Sequence, residues 1–93
     1  MSYTIRRSNK FKRQYRKLQR SGNIKLVKEL DCIIVLLAGG EILPLKNNNH
    51  RLMGNLRFLY ECHIASNWLL VYCYDHEILS LELIATGSHS DLF

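Results

Sequence analysis

Four histidines, His50, His63, His76 and His89, carry the side chains of this 93-residue chain that ordinarily titrate nearest neutrality, which makes them the first candidates for general acid or base chemistry. They are not equivalent. His76 lies in the turn sequence Asp75-His76-Glu77, where a histidine is ordinarily a surface residue. His63 alternates with Glu61, Leu59 and Arg57, so these residues share one face of a strand whose other face, Leu56, Phe58, Tyr60, Cys62 and Ile64, is apolar. A polar sheet face can grip phosphates, although a merely solvated sheet face has the same pattern and is the commoner case. His50 falls in the polar run Lys46-Asn47-Asn48-Asn49-His50-Arg51, and His89 is flanked by Ser88 and Ser90 in a short tail. Loops anchored on a rigid sheet are where reactive groups are commonly placed.

Other chemistries find less support. Neither His-x-x-x-His nor a Cys-His cluster occurs, so no metal ligand set is expected. Cys32, Cys62 and Cys73 are odd in number, contain no Cys-x-x-Cys pair and read as free thiols. A Cys62-His63 nucleophile pair fails because neighbours on a strand point to opposite faces. Gly39-Gly40 lacks the spacing and the lysine of a phosphate loop, so no cofactor is expected. The longest apolar run, residues 32–40, is far short of the roughly 20 residues that cross a bilayer. The first residues lack the apolar core of a secretory signal, which places the protein in the cytoplasm with no membrane partner.

Charge is strongly segregated. Residues 1–28 hold ten Lys or Arg and no acid, whereas residues 29–93 hold three bases against eight acids. A dense basic block suits a polyanion or an acidic protein segment, and ordinary surfaces intersperse both signs.

The elements that must position these groups follow from periodicity. Tyr3-Thr4-Ile5-Arg6 is a short opening strand, and Ser8 or Asn9 caps a helix with Phe11, Tyr15 and Leu18 on one stripe. Lys10, Lys12, Arg13, Arg16, Lys17 and Arg20 fill its other side. After Ser21-Gly22-Asn23 a second helix carries Leu26, Val27, Leu30, Ile33, Ile34 and Leu37, and Gly39-Gly40 stops it. The period then changes to two, with strands expected over residues 56–64, 68–74 and 78–85, the last with Leu79, Leu81 and Leu83 facing one way. The expected fold is α+β, an N-terminal antiparallel helical hairpin packed on a small antiparallel sheet, in one domain over residues 1–93.

Four blocks in order carry a resemblance: Asn49-His50-Arg51-Leu52-Met53-Gly54, Glu61-Cys62-His63-Ile64, Asn67-Trp68-Leu69-Leu70-Val71-Tyr72 and Thr86-Gly87-Ser88-His89-Ser90-Asp91-Leu92-Phe93. Together they resemble the YafQ branch of the RelE/ParE superfamily of type II toxins. The resemblance implies a RelE-like ribonuclease that cuts mRNA in the A site of the 70S ribosome and is neutralised by a cognate antitoxin in a hetero-oligomeric complex. It implies roles in cleavage for His50, His63 and His89, with His89 first for proton transfer, and places Trp68 and Phe93 at family aromatics. Arg57, Arg51, Lys46 and Asn67 are then candidates for RNA binding or charge stabilisation, and Lys10, Arg13, Lys17 and Arg20 for antitoxin or ribosome binding.

The departures are as informative. Tyr60 stands where the family has arginine before Glu-Cys-His-Ile, Ser66 and Asn67 replace Pro-Asp, and Ala85 replaces the arginine before Thr-Gly-Ser-His. Losing a donor to transition-state charge typically costs on the order of a hundredfold in rate. Three readings stay open: weak activity, Arg57 or Arg51 filling the role, or an attenuating substitution at position 85. A non-catalytic RNA-, ribosome- or antitoxin-binding member of the fold is the alternative to an enzyme.

Overall fold

The computed structural model describes residues 2–56, 58–65 and 67–93. Its elements are β1 (Thr4–Arg7), α1 (Asn9–Arg20), α2 (Ile24–Ala38), β2 (His50–Arg51), β3 (Tyr60–Ala65), β4 (Trp68–Asp75), β5 (Ser80–Ser88) and α3 (His89–Leu92), with 3-10 turns at Leu45–Asn47 and Gly54–Leu56.

Ser8 caps α1, its Oγ accepting from the Phe11 N–H at 2.9 Å. Phe11 and Leu18 are buried with Tyr15 partly so, while Lys10, Arg13, Lys17 and Arg20 are exposed, as the stripe requires. Gly22, at φ +80°, turns the chain in a conformation that costs a residue without Cβ little, and Asn23 Oδ1 caps α2 by accepting from the Leu26 N–H at 3.2 Å. Leu30, Ile33, Ile34 and Leu37 of α2 are buried against the sheet.

The five strands lie in the order β1-β5-β4-β3-β2. The α+β reading holds, but the sheet is mixed: β1 runs parallel to β5, because the chain leaves β1 through both helices and returns beside it at its C-terminal end, while the other neighbours are antiparallel. Phe11, Leu18 and the α2 residues pack on Cys62, Ile64, Leu70, Tyr72, Leu81 and Leu83, and this is the main core. His76 stacks on Tyr74 and lies 3.4 Å from the Tyr3 hydroxyl, a structural role.

Several boundaries differ from the sequence expectation. Leu56 and Phe58, expected on the core face of a strand, are exposed, since Gly54–Leu56 is a 3-10 turn and β3 begins at Tyr60. The expected loop at 46–51 contains a buried Asn47, whose Nδ2 donates to the His63 carbonyl at 2.6 Å, and an edge strand at His50 and Arg51. Leu79 is not in the last strand but in the turn before it, at φ +50°. That strand continues to Ser88, and the expected tail is the helical turn α3.

The extension of β5 depends on a bulge. Tyr72 lies opposite Leu83 and Val71 opposite Ala85, which leaves Ile84 as an extra residue. Leu81 and Leu83 therefore face the helices, as does the fully buried Thr86, while Ala85 turns to the other face. β1 stops at Arg7, so α1 supplies partners that the ladder no longer gives. The Ser8 N–H donates to the Leu83 carbonyl at 3.0 Å, Ser8 Oγ donates to the Ile84 carbonyl at 2.6 Å, and the Thr86 N–H donates to Gln14 Oε1 at 2.8 Å.

Ser8→Ala removes a helix cap and a bulge partner together. The expected loss is about 1–3 kcal/mol, read from urea unfolding with an unchanged m-value; a loss below about 0.5 kcal/mol would show that the bulge does not need this hydroxyl.

Candidate functional site

The sheet face turned away from α1 and α2 is organised as two rows running across the strands. One row is His50, Glu61, Val71 and Ala85, each opposite the next in register. The other is His63, Leu69 and Gly87. Each row has a histidine towards the β2–β3 edge and a small residue on β5. Adjacent strands lie about 4.8 Å apart, so His63 and Gly87 stand about 10 Å apart across the sheet.

At the edge, His50 Nε2 is 3.5 Å from Glu61 Oε1, and His50 Nδ1 is 2.8 Å from the Asn48 carbonyl oxygen. Both ring nitrogens thus face acceptors, which orients the imidazole firmly. The Glu61 side chain is only 6% exposed and the His50 side chain 43%, so the buried carboxylate meets the imidazole at the surface. Glu61 is the residue that sequence reasoning left out of the site. Its signal was the alternation with His63, which read as an open polar face; Leu59, Val71 and Ala85 form a second small buried cluster there instead.

At the β5 end, α3 folds back over this face. Ser88 Oγ accepts from the Asp91 N–H at 3.2 Å, and Asp91 Oδ2 accepts from the Ser88 N–H at 3.0 Å, a reciprocal capping box. The Ser88 N–H donating to its carboxylate, with the Ser88 hydroxyl beside it, holds the Asp91 carboxyl below its ordinary value. His89 is exposed in the first position of the turn, with the Phe93 ring 5.6 Å away and also exposed.

His50 and His63 belong to this face by strand alternation, and His89 and Phe93 stand on α3 at its β5 end; other candidates lie elsewhere. Arg51 points to the opposite side of β2, where its Nε donates to the Tyr60 hydroxyl at 3.0 Å and its guanidinium lies 5.4 Å from that ring's centroid. Since Tyr60 packs with the main core, Arg51 is displaced from the row of Ala85 and cannot replace an arginine there without leaving its partner. Trp68 also packs with the main core, its Nε1 donating to Thr86 Oγ1 at 2.8 Å, and Asn67 is exposed in the turn beside it. Lys46 is exposed on the 3-10 turn, and with Asn47, Glu29 and Cys32 it lines a cleft of about 330 Å³ that reaches the β3 edge at His63. Arg57 and Ser66 lie outside the described residues. Ala85 is 4% exposed beneath Leu92, so position 85 is a filled floor and not an open gap.

Comparison with known proteins gives the following. A family profile described as the bacterial toxin of the type II toxin-antitoxin system, YafQ, matches residues 3–93. A crystal structure of a metal-bound toxin from Helicobacter pylori is 35% identical, with a TM-score of 0.89 over 98% of this chain and 99% of that one. The E. coli DinJ-YafQ toxin-antitoxin complex includes a chain with the same fold, 22% identical, with a TM-score of 0.87 over 100% of this chain and 99% of that one. No curated protein sequence matches. The metal belongs to the Helicobacter protein. Among the described residues of this chain no three His, Cys, Asp or Glu side chains gather as a metal site, and His50 with Glu61 makes only a pair.

Thiol chemistry is disfavoured by burial. Cys62 faces the main core, and desolvation, with the Glu61 carboxylate adding to it, pushes its thiol up to about 12. Cys73 is half-buried and also raised, whereas Cys32 is exposed. Brief alkylation of the native protein at pH 8 is expected to modify Cys32 and leave Cys62 unmodified until the chain is unfolded. Equal rates at Cys32 and Cys62, read by peptide mass spectrometry, would contradict this placement.

Proposed function

The chain belongs to the YafQ family of bacterial toxins of type II toxin-antitoxin systems, and from that premise we propose that it is an endoribonuclease that cuts mRNA on the 70S ribosome. On this reading it acts in the cytoplasm and is neutralised by a cognate antitoxin in a hetero-oligomeric complex. Among the described residues no helix is long and apolar enough to cross a membrane.

One observation carries the reading: His50 and His63 stand at one end of a sheet face and His89 at the other, with apolar rungs between them. A phosphodiester held between the two ends has a nitrogen base or acid on either side. In the proposed step the ribose 2′-OH attacks the adjacent phosphorus, losing its proton to one imidazole. The bond from phosphorus to the 5′ oxygen breaks, that oxygen takes a proton from the second imidazole, and a 2′,3′-cyclic phosphate remains. His89 and His63 are assigned the proton transfers. His50, whose ring is turned to the Glu61 carboxylate and the Asn48 carbonyl, is assigned to charge on the phosphate.

The basic helix suits a polyanionic or acidic partner. Among the described residues the basic side chains within 4 Å of a carboxylate are Arg6 at Glu82 and His50 at Glu61, so Lys10, Arg13, Lys17 and Arg20 make no such contact. A second reading, a non-catalytic binder of RNA, ribosome or antitoxin, is favoured by the buried Ala85, which supplies no cation to the face.

Two measurements test these assignments. His89→Ala is expected to lower single-turnover cleavage of mRNA on programmed ribosomes by at least about a hundredfold, with an unchanged circular dichroism spectrum. Retained cleavage would remove His89 from the proton transfers, and a wild-type protein that cuts nothing would favour the second reading. Charge reversal at Lys10, Arg13, Lys17 and Arg20 should weaken ribosome binding and flatten its dependence on salt; unaltered affinity at two salt concentrations would return the stripe to a solvated surface.

A further inference from the structure

His89 stands on a helix of only four residues, and a single turn has too few internal bonds to hold itself. Its backbone closure is the Phe93 N–H donating to the His89 carbonyl at 3.0 Å. The location of the imidazole must therefore be set by what α3 rests on.

Two contacts provide that rest. Leu92 packs on Leu59, Val71 and Ala85, the cluster that the β5 bulge turns to this face. Behind it, Gly87 leaves room for the approach of the turn: a Cβ added there would lie 3.0 Å from Asp91 Cβ, 3.2 Å from Asp91 Oδ2 and 3.4 Å from Leu92 Cδ2. The first two distances are tighter than most real Cβ contacts, so a side chain at 87 pushes the Asp91 side chain, and the turn that carries it, away by a few tenths of an ångström. Gly87 is not in the left-handed region. Its value is space and not conformational freedom, so an alanine tests the approach without straining the backbone.

Resting on the nuclease reading above, we infer that Leu92 and Gly87 are positioning residues that fix His89 over the sheet face at a set distance from His63. Leu92 anchors the end of the turn on the row of Glu61 and Ala85. Gly87 lets Asp91 close on the row of His63 and Leu69, and the Ser88–Asp91 capping box ties the start of the turn to the end of β5. Lifting α3 by a fraction of an ångström moves His89 relative to a phosphate held from the other end, and misplacement on that scale is enough to lower a rate by orders of magnitude.

The test uses the full chain and Leu92→Ala, Leu92→Met and Gly87→Ala. Without substrate, the imidazole carbon–proton NMR signals of His89 are expected to move in Leu92→Ala and Gly87→Ala towards those of an unstructured peptide, to stay near wild type in Leu92→Met, and to leave His76 unchanged. On programmed ribosomes, kcat should fall at least tenfold in the first two variants, with KM within twofold, and recover in Leu92→Met. A merely structural role would lower the folded fraction, which by itself lowers apparent kcat at unchanged KM, so rates are taken per folded protein from NMR signal intensity; on that basis it leaves kcat near wild type and produces no selective movement of His89. Unchanged His89 signals in both Leu92→Ala and Gly87→Ala overturn the inference, as does full cleavage by both when His89→Ala is inactive. A wild-type chain that never cuts RNA overturns the nuclease reading alone, and the NMR comparison still decides whether Leu92 and Gly87 place His89.

Discussion

The extra residue in β5 is the constraint from which the arrangement of the site follows. Without Ile84 outside the register, a strict alternation would carry position 85 to the same side as Leu81 and Leu83, into the helical core. With it, Ala85 and Gly87 turn to the other face and Thr86 is buried beneath α1. The bulge requires other backbone partners, and these come from the start and the second turn of α1, Ser8 and Gln14. The N-terminal helix thus supports from behind the surface on which the C-terminal turn rests. Bulges are found next to active sites because they re-aim side chains, and here two small residues are re-aimed to make a seat.

Period-three and period-two patterns made most of the fold legible. The capped helix at Ser8, its stripe of Phe11, Tyr15 and Leu18, and the α2 stripe ending at Leu37 could be read directly, because each buries one face against a single layer. The parallel pairing of β1 could not, since Thr4–Arg7 is exposed along its length and carries no core signal to say which strand it joins. The stretch of β5 beyond Ala85 is hidden in the sequence, because a bulge breaks the alternation on which strand recognition rests and Thr86-Gly87-Ser88 has the local composition of a turn. Phe58 is apolar but 63% exposed, and hydrophobicity alone does not tell burial.

The site was legible only in part for a related reason. Alternation placed His63 and Glu61 on one face, but it gave no partner for either, and the His50–Glu61 pair needs the register between two strands ten residues apart in sequence. Neither could spacing show that adjacent residues of β2 serve opposite sides, His50 with Glu61 and Arg51 with Tyr60. That separation bears on charge. The basic stripe of α1 lies on the helical layer and His50 and His63 on the opposite face of the sheet, but Lys17 of that stripe lines one cleft with Asp91 of α3, so the stripe and the C-terminal turn meet at one end of the sheet.

The apolar rungs between the two ends constrain any chemistry performed there. Leu69 separates His63 from Gly87, and Val71 separates Glu61 from Ala85. Leu69 and Val71 are 1% and 5% exposed, so the floor holds little water and has no ionisable group through which a proton could pass. On the proposed nuclease reading, a proton taken up at the β2–β3 edge and one delivered at α3 therefore belong to different groups. A dry floor also strengthens polar interactions at its border, because fewer water dipoles oppose them. The same dryness makes an unpaired cation at position 85 costly, and an alanine beneath Leu92 is the side chain that closes this floor at the lowest cost in buried charge.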